Sequence, residues 1–361
     1  MLNEKISQIE LYDAFIKHKK IVFVISLIAT LGIALFAVSK GSLDIPLGEV
    51  IRTLMGRGEL QSQTVVMNIR IPRVATAILV GASLAVCGAV MQCVLQNPLA
   101  SASTLGVSQG AAFGAAFGII YLGGGAVQTS SAVTAIAINN PYVVSLSAFL
   151  FGSMSTFVII ALSQFKKDLG PAGLILAGVA LSSLFAGGSA LLQYFADETR
   201  IAAVVFWTFG NLGAAGWREI IVLFVVFITT LIFFMLNRWN YNAMESGADT
   251  AKSLGVNTRA VMVISMSIAS LTAAVAVSFV GIISFVGLIA PHIMRRLIGN
   301  DYRYLIPCSA IAGAMLLILA DTFARLIIKP IILPIGAITS FLGAPMFLYL
   351  LFRGLQNNGK Y

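Results

Sequence analysis

Long stretches without any charged residue dominate this sequence and constrain its fold more than any other feature. A helix that crosses the hydrocarbon layer of a membrane needs roughly 20 apolar residues, since the layer is about 30 Å thick and each residue adds about 1.5 Å. The uncharged stretches are continuous, without the alternation of a barrel strand, and therefore indicate helices. They lie at residues 21–39, 74–96, 105–124, 140–164, 172–195, 220–237, 260–280, 282–294, 304–320 and 335–352. The sequence predicts an all-α integral membrane protein of about ten transmembrane helices.

Composition supports the membrane assignment. Hydrophobic residues make up 58% of the chain and charged residues 10%, which would leave a soluble fold without a polar surface. The three cysteines, Cys87, Cys93 and Cys308, form no CxxC pair and lie among apolar neighbours. We expect them to be small buried hydrophobic residues, with no disulfide and no metal site.

The stretch from residue 260 to 294 is too short for two full crossings. Its 35 residues would form about 52 Å of helix, whereas two crossings need roughly 60 Å. One of its two helices is therefore expected to be short and broken near Gly281. Irregular backbone at membrane depth survives only against protein or a water-filled cavity, so this break points to the wall of a pathway.

Basic residues predict the orientation. An N-terminus inside the cell assigns 14 of the 23 Lys and Arg residues to cytoplasmic segments, in a cell (plasma or inner) membrane with both termini cytoplasmic. Five of the other nine lie in one loop, 40–73, against the rule. Residues 1–20 are too polar for a signal peptide, and their apolar positions recur at helical spacing, which predicts an amphipathic segment on the cytoplasmic membrane surface. The permease domain is then 21–355, followed by a tail at 356–361.

The sequence also limits the energy source. All fourteen acidic residues lie in loops or at the ends of spans, which disfavours an ion-coupled secondary transporter. No GxxxxGK[ST] phosphate loop is present, so any ATP must be hydrolysed by another polypeptide. The chain is expected to be a transport subunit and not an enzyme. A membrane scaffold without transport activity remains an alternative.

Several segments resemble, in order, the permeases of the FecCD family. The resemblance covers about residues 65 to 355. It rests on Arg70-Ile-Pro-Arg73, Leu79-Val-Gly-Ala-Ser-Leu-Ala, Gly88-Ala-Val-Met-Gln92, Gln96-Asn-Pro-Leu-Ala100, Leu105-Gly-Val-Ser-Gln-Gly110, Ser253-Leu-Gly-Val-Asn257, Phe285-Val-Gly-Leu-Ile-Ala-Pro-His-Ile293, Ala320-Asp-Thr-Phe-Ala-Arg325, Leu333-Pro-Ile-Gly336 and Leu342-Gly-Ala-Pro345.

This resemblance implies a type II ABC importer permease, a fold also found in cobalamin permeases. The cargo would be an intact metal chelate, first of all a ferric siderophore, with haem, cobalamin or molybdate as alternatives. The implied partners are ATP-binding cassette ATPase subunits, which use ATP and Mg, an extracytoplasmic substrate-binding protein, and a second permease copy in a homodimer or a close heterodimer. Beyond these and membrane lipid, no nucleic-acid partner and no cofactor bound by this chain are expected.

The polar loop at about 242–259 is the candidate coupling element. It contains two glycines and lies on the predicted cytoplasmic side, and in the resembling family the matching segment docks into the ATPase subunit. The expected contact residues are Gly247, Ala248, Lys252, Ser253, Leu254, Gly255 and Val256. A solvated loop without a partner is the alternative from the residues alone.

Three arginines are candidates for docking the substrate-binding protein. Arg70 and Arg73 lie at the external mouth of the second span, and Arg325 lies at the external end of the ninth. The resemblance implies that arginines at these positions meet acidic residues of the binding protein, whereas the residues alone also fit lipid-headgroup anchors. Asp321, one turn before Arg325, is placed to orient it as an i, i+4 pair.

The spans contain few groups that could contact cargo. Gly110, Gly114 and Gly118 recur every fourth residue, which favours close helix packing. His292 is expected to pack or to favour a helix C-terminus instead of binding iron, and without a His, Cys or carboxylate cluster the cargo should keep its own ligands. Pathway candidates, each of which also fits a helix-helix hydrogen bond, are Gln92, Gln109, Ser182, Ser183, Gln193 and Thr339.

Overall fold

A computed structural model describes the backbone at residues 2–41, 44–130, 133–138, 140–165, 170–329 and 331–358, and the side chains within these ranges except at 2–12, 126–138 and 350–358. Each of the ten uncharged stretches contains a helix. These are α1 (Leu2–Ser39), α4 (Ile71–Val94), α5 (Val107–Ile120), α6 (Pro141–Phe165), α7 (Pro171–Tyr194), α9 (Trp217–Leu236), α12 (Thr258–Val280), α13 (Val286–Ile298), α14 (Tyr302–Leu326) and α15 (Ile335–Asn358). The helical fold class is confirmed.

Seven helices of the described chain are long and apolar enough to cross a membrane. The 14-residue α5, the 13-residue α13 and α15, which is apolar over Ile335–Tyr349 where its side chains are described, account for the remaining stretches. Ten helices in the predicted order therefore agree with the sequence, although α5 and α13 are shorter than a full crossing.

Short elements connect the long helices. They are α2 (Leu47–Leu54), α3 (Leu60–Val65), a π-helical turn (Val66–Arg70), α8 (Glu198–Thr208), a 3-10 turn (Leu212–Ala214), α10 (Arg238–Glu245) and α11 (Ala248–Ser253). An antiparallel hairpin of β1 (Gly125–Ser130) and β2 (Val133–Ile138) follows α5 and was not predicted. α1 continues without interruption from residue 2 into its apolar part, and the boundary predicted at residue 20 remains a prediction.

Helix α4 lies at the centre of the bundle, packed against α9, α12, α13 and α14. Its small residues allow this close packing. A side chain at Gly81 would clash with the backbone of Gly313 in α14, and one at Gly88 would clash with the backbone of Gly287 in α13. Because neighbouring backbones approach so closely, α4 is buried along nearly its whole length.

The predicted glycine packing of α5 is confirmed. A Cβ at Gly110 or Gly114 would meet the backbone of α6, at Phe151 and Ser147 respectively. Gly118 lies against Val144 of the same helix. The glycine face of α5 therefore packs against α6.

The break between α12 and α13 lies where the sequence predicted it. Gly281 has φ +77° and closes α12, and a Cβ there would clash with the carbonyl oxygen of Trp207. Phe285, which precedes α13, has φ +65°, a left-handed conformation that is rare for a large side chain. α13 is short, as expected.

Candidate functional site

The polar segment between α9 and α12 forms two short helices at one end of the bundle. α10 is anchored by the buried side chains of Tyr241 and Met244. Gly247, with φ +107°, turns the chain into α11, and Gly255, with φ +83°, turns it out again. Open space surrounds both glycines, so it is the backbone conformation that favours glycine at these two positions. We call residues 247–256 the α11 surface.

The seven predicted coupling residues all lie on the α11 surface. Five are exposed and two are half-buried; the exposed ones are Ala248, Lys252, Ser253, Leu254 and Gly255, and the half-buried ones are Gly247 and Val256. Leu254 is 67% exposed, a large apolar side chain that follows directly after a polar helix. Its position suits contact with a partner, and the coupling role of this surface stays a prediction.

Helix α10, which leads into the α11 surface, is bonded to the C-terminal end of α4. Cys93 donates through Sγ to the carbonyl oxygen of Tyr241 at 3.4 Å, and Gln96, two residues after α4, donates through Nε2 to that of Met244. The two bonds fix α10 to the central helix, and this end is called the α11 end.

Asp301 joins three more elements at the α11 end. Its carboxylate accepts bonds from Arg303 at 2.7 to 3.0 Å, from Asn242 of α10 at 3.3 Å and from Lys19 of α1 at 3.4 Å. Burial by itself would raise the pKa of Asp301, but the bonds from the Arg303 side chain and backbone and from Asn242, with the charge of Lys19, lower it to about 2. Asp301 is also the N-cap of α14. The sequence analysis missed this site, although an Asp directly before a helical run is a usual start signal.

At the opposite end of α4, two of the predicted docking arginines hold the C-terminus of α1. Arg70 donates to the carbonyl oxygens of Val38 and Ser39, both at 2.8 Å. Arg325 donates to those of Lys40 at 2.9 Å and Ala37 at 3.2 Å. Terminal carbonyls of a helix lack intrahelical partners and favour positive charge, so both guanidinium groups stabilise this helix end.

Asp321 bonds to both Arg73 and Arg325. Its Oδ1 accepts from Arg73 Nε at 2.9 Å and Nη2 at 2.8 Å, and its Oδ2 accepts from Arg325 Nε at 2.9 Å. The predicted i, i+4 pair of Asp321 and Arg325 is therefore present. The Asp321 side chain is 2% exposed and the Arg73 side chain 11%. We call Arg70, Arg73, Asp321 and Arg325 the arginine cluster, and its end of the bundle the α2 end.

The arginine cluster leaves little guanidinium surface for a partner in this conformation. Arg70 and Arg325 are both buried. Two other arginines of the loop at 40–73, Arg52 and Arg57, are exposed. These contacts give the three arginines a structural role, which the sequence predicted only for Arg325. Their role in docking stays a prediction.

The pathway candidates do not converge on one site. Gln92 is buried and accepts a bond from Arg295 Nη1 at 2.6 Å, the helix-helix alternative. Gln109 on α5 and Ser183 on α7 are exposed, while Ser182 and Gln193 on α7 are half-buried.

The three hydroxyl candidates bond within their own helices. Ser182 donates to the carbonyl oxygen of Gly178 at 2.8 Å, Ser183 to that of Val179 at 3.1 Å, and Thr339 to that of Gly336 at 3.1 Å. Thr339 is buried beside a cavity of about 80 Å³ between α13, α14 and α15.

No three His, Cys, Asp or Glu side chains come together to hold a metal ion within the described residues. His292 Nε2 is buried and has no hydrogen-bond partner there. Cys87, Cys93 and Cys308 are free and buried, as predicted.

Comparison with known proteins agrees with this architecture. A protein of Methanocaldococcus jannaschii, named as an ABC transporter permease protein, is 53% identical over 93% of this chain and 95% of its own. The hemin transport system permease protein of Yersinia pestis is 35% identical over 80% of this chain and 83% of its own. A solved structure described as an inward-facing conformation of a metal-chelate type ABC transporter has a TM-score of 0.78 at 30% identity, covering 92% of this chain and 99% of that one.

The helical bundle and the permeases that it resembles define the class of the chain as the permease subunit of an ABC importer. It is a transport component and not an enzyme. The chain belongs to the FecCD transport family, whose model matches residues 27–353. A permease of this class acts in a membrane with ATPase and substrate-binding partners and a second permease chain.

Proposed function

We propose that this chain forms half of the pathway by which an intact metal chelate is imported across the cell membrane. A ferric siderophore is the first cargo, and haem, cobalamin and molybdate are the alternatives. The ATPase partner consumes ATP with Mg, and this chain binds no cofactor. A substrate-binding protein outside the cell delivers the cargo.

The observation that carries the proposal is the α11 surface. A short polar helix buries Ala251 against the bundle and exposes Leu254 after its end, and α10 beside it is bonded to the central helix α4. An element that is exposed and also firmly attached suits the transfer of a partner's motion into the membrane domain. We therefore assign residues 247–256 to ATPase coupling.

The orientation follows from the charges. Placing the N-terminus inside puts 14 of the 23 basic residues on the cytoplasmic side, together with the α11 surface, where ATP is available. The α2 end then faces outward. Both termini are cytoplasmic in this arrangement.

The α2 end is the proposed docking surface for the substrate-binding protein. Arg70 and Arg325 shape it from within by holding α1, and Arg73 does so by pairing with Asp321, while the exposed Arg52 and Arg57 present positive charge to an acidic partner. Charges of this kind act mainly on the rate of encounter and weaken as salt rises.

Cavity size and the side chains that line the helices indicate where a chelate could pass. Ligand sites usually enclose about 300 to 1,000 Å³, so the cavity beside Thr339 is too small for a chelate. The exposed hydroxyl-bearing face of α7, with Ser183, is the more suitable wall once a second permease copy faces it.

An ion-coupled carrier is the alternative mechanism, and Asp321 is the acid to consider for it. Its carboxylate is buried and bonded to both Arg73 and Arg325. Both of its oxygens are engaged by guanidinium groups, which suits a structural role for Asp321 and not the binding of a transported ion. This contact favours coupling to ATP through a partner.

The coupling assignment is tested by Gly255→Leu in the complex with the ATPase, reconstituted in lipid vesicles. The positive φ at Gly255 opposes any side chain, so the turn after α11 should be displaced. Uptake of chelate per ATP hydrolysed should fall at least about tenfold, while insertion and assembly persist.

The matched control is Gly123→Leu. Gly123 also has a positive φ and open space around it, but it lies in the loop after α5. It should leave the ratio of uptake to hydrolysis within about twofold of the wild type. Normal coupling in Gly255→Leu, or equal losses in both variants, would contradict the assignment.

A further inference from the structure

The last residue of α10 begins a chain of hydrogen bonds that leads away from the α11 surface into the bundle. Glu245 Oε2 accepts from the hydroxyl of Tyr302 at 3.2 Å, and its Oε1 accepts from Asn300 Nδ2 at 2.8 Å. Glu245 lies two residues before Gly247. The position of α10 is thus linked directly to the connection between α13 and α14.

The chain of bonds continues through α13 to α4. The hydroxyl of Tyr302 accepts from Arg295 Nη2 at 3.0 Å, and Arg295 Nη1 donates to Gln92 Oε1 at 2.6 Å. Gln92 Nε2 lies 3.5 Å from the carbonyl oxygen of Gly287, in the first turn of α13. Four helices, α10, α14, α13 and α4, contribute one side chain each.

Two of the four side chains in this chain of bonds are buried. Tyr302 is fully buried and Gln92 is nearly so. A hydroxyl between a cationic guanidinium and a carboxylate makes charge-assisted bonds, which are stronger than neutral ones. Glu245 is exposed and Arg295 half-buried, so the buried part of this chain of bonds is the Tyr302 hydroxyl and the Gln92 amide. A buried polar group that loses its partner is costly, so these two groups tolerate the least displacement.

The far end of the chain of bonds is a conformationally unusual part of the bundle. Gly287 packs against Gly88 of α4, and two residues earlier Phe285 has a left-handed backbone. α13 contains Pro291 and is only 13 residues long. A short helix that follows a strained junction is easier to reposition than a continuous span.

We propose that Glu245, Tyr302, Arg295 and Gln92 form a coupling relay, with Tyr302 as its positioning residue. The relay ties displacement of α10 by the ATPase to displacement of α13 against α4. This inference rests on the proposed function of the α11 surface and names the side chains through which that surface acts on the bundle.

The test compares Tyr302→Phe with Tyr241→Phe in the reconstituted complex with the ATPase. Tyr302→Phe removes only the hydroxyl and keeps the ring, which packs 5.7 Å from that of Tyr241. Tyr241 is also buried, and its hydroxyl bonds to Ser265 at 2.9 Å outside the relay. Uptake of a ferric tris-hydroxamate carrying radioactive iron, and of haemin, is measured beside ATP hydrolysis and thermal unfolding.

We expect Tyr302→Phe to lower uptake per ATP hydrolysed by about tenfold, the loss typical of one bond to a charged group, with assembly and hydrolysis retained. Tyr241→Phe should stay within about twofold, although it loses a buried hydroxyl too. An unchanged ratio in Tyr302→Phe would overturn the relay. So would an equal fall in both variants, since a general loss of packing would then explain it.

A second variant keeps the inference testable if Tyr302→Phe fails to assemble. Glu245→Gln preserves size but removes the charge at the first position of the relay, and it should lower the same ratio. When both single variants assemble, the double variant should show the same uptake per ATP hydrolysed as the more impaired single variant, because both changes remove the same linkage. Independent, multiplying losses would overturn the relay.

Failure of the relay and failure of the proposed function give different results. If the wild-type complex carries neither probe and its hydrolysis does not respond to the substrate-binding protein, the proposed function fails. If the wild type couples hydrolysis to uptake and Tyr302→Phe does so equally, only the relay fails.

Discussion

At the scale of single residues, the arginine cluster shows how a membrane protein tolerates buried charge. Asp321 lies between Arg73 and Arg325. The remaining N–H groups of Arg325 donate to carbonyl oxygens at the end of α1. Charges within membrane helices are expensive unless they are paired or bonded to backbone oxygens. Because a single carboxylate serves two cations, Asp321 is the residue on which the cluster depends.

Replacing Asp321 by Asn should therefore destabilise the protein strongly. The change leaves Arg73 and Arg325 buried next to each other without their shared anion, and breaking a buried ion pair in this way costs about 3 to 5 kcal/mol. Thermal unfolding in detergent would measure the loss.

The matched control is Asp249→Asn on α11. Asp249 pairs with Lys252 at 3.1 Å, but its side chain is 98% exposed. Surface pairs contribute little, so the unfolding temperature should hardly change. A similar small effect for Asp321→Asn would show that the cluster is solvated in the membrane and contributes little.

At the scale of helices, the glycine contacts of α4 decide how closely its neighbours approach. Gly88→Ala should destabilise the bundle by about 1 to 3 kcal/mol, because the added methyl group meets the backbone of Gly287 and not a movable side chain. Gly32→Ala in α1 is the control. It has nothing within 4 Å and should be neutral or slightly stabilising, since alanine favours helix.

Thermal unfolding of both glycine variants separates packing from helix propensity. If Gly88→Ala is as stable as Gly32→Ala, α4 and α13 do not pack as closely as the structure shows. The uptake assay would add whether this crossing must also move, because the relay places α13 among the displaced helices.

The helices themselves were predictable from the sequence, and their polar contacts were not. Charge-free length fixes where a span lies, and the shortage of residues between 260 and 294 revealed the broken helix at Gly281. Glycines in the polar loop likewise revealed the α11 surface. Partners such as Arg73 and Asp321, however, lie 248 residues apart, and no local pattern indicates that they meet.

The same limit explains the loop at 40–73. Its basic residues broke the positive-inside count and suggested an external docking surface. Arg70 is bonded to α1 and Arg73 to α14, contacts that only helix packing reveals, and their docking role stays a prediction. Among the arginines of this loop only Arg52 and Arg57 are exposed, as is expected of charged residues in a loop.

For the whole molecule, polar contacts are concentrated at two ends and joined by α4. The arginine cluster fixes α1, α4 and α14 at the α2 end, and Asp301 with the relay fixes α1, α10, α13 and α14 at the α11 end. Between them the helices touch mainly through small and apolar side chains. We expect this division to leave the apolar middle of the bundle more able to shift than its two ends.

The cargo proposal leads to a prediction for the complete transporter. An importer for intact chelates should carry a complex that never releases its metal, because the described helices bring no three metal-binding side chains together. We expect the chromium(III) complex of a tris-hydroxamate, which exchanges its ligands very slowly, to enter vesicles within about threefold of the rate of the ferric complex, since both present the same ligand shell. Uptake should depend on ATP and should be lost in Gly255→Leu.

His292→Ala should change either rate less than about twofold, because the imidazole would bind no metal during transport. Entry of iron without entry of chromium, or loss of transport in His292→Ala, would mean that the metal is released and bound by the protein on its way through the membrane.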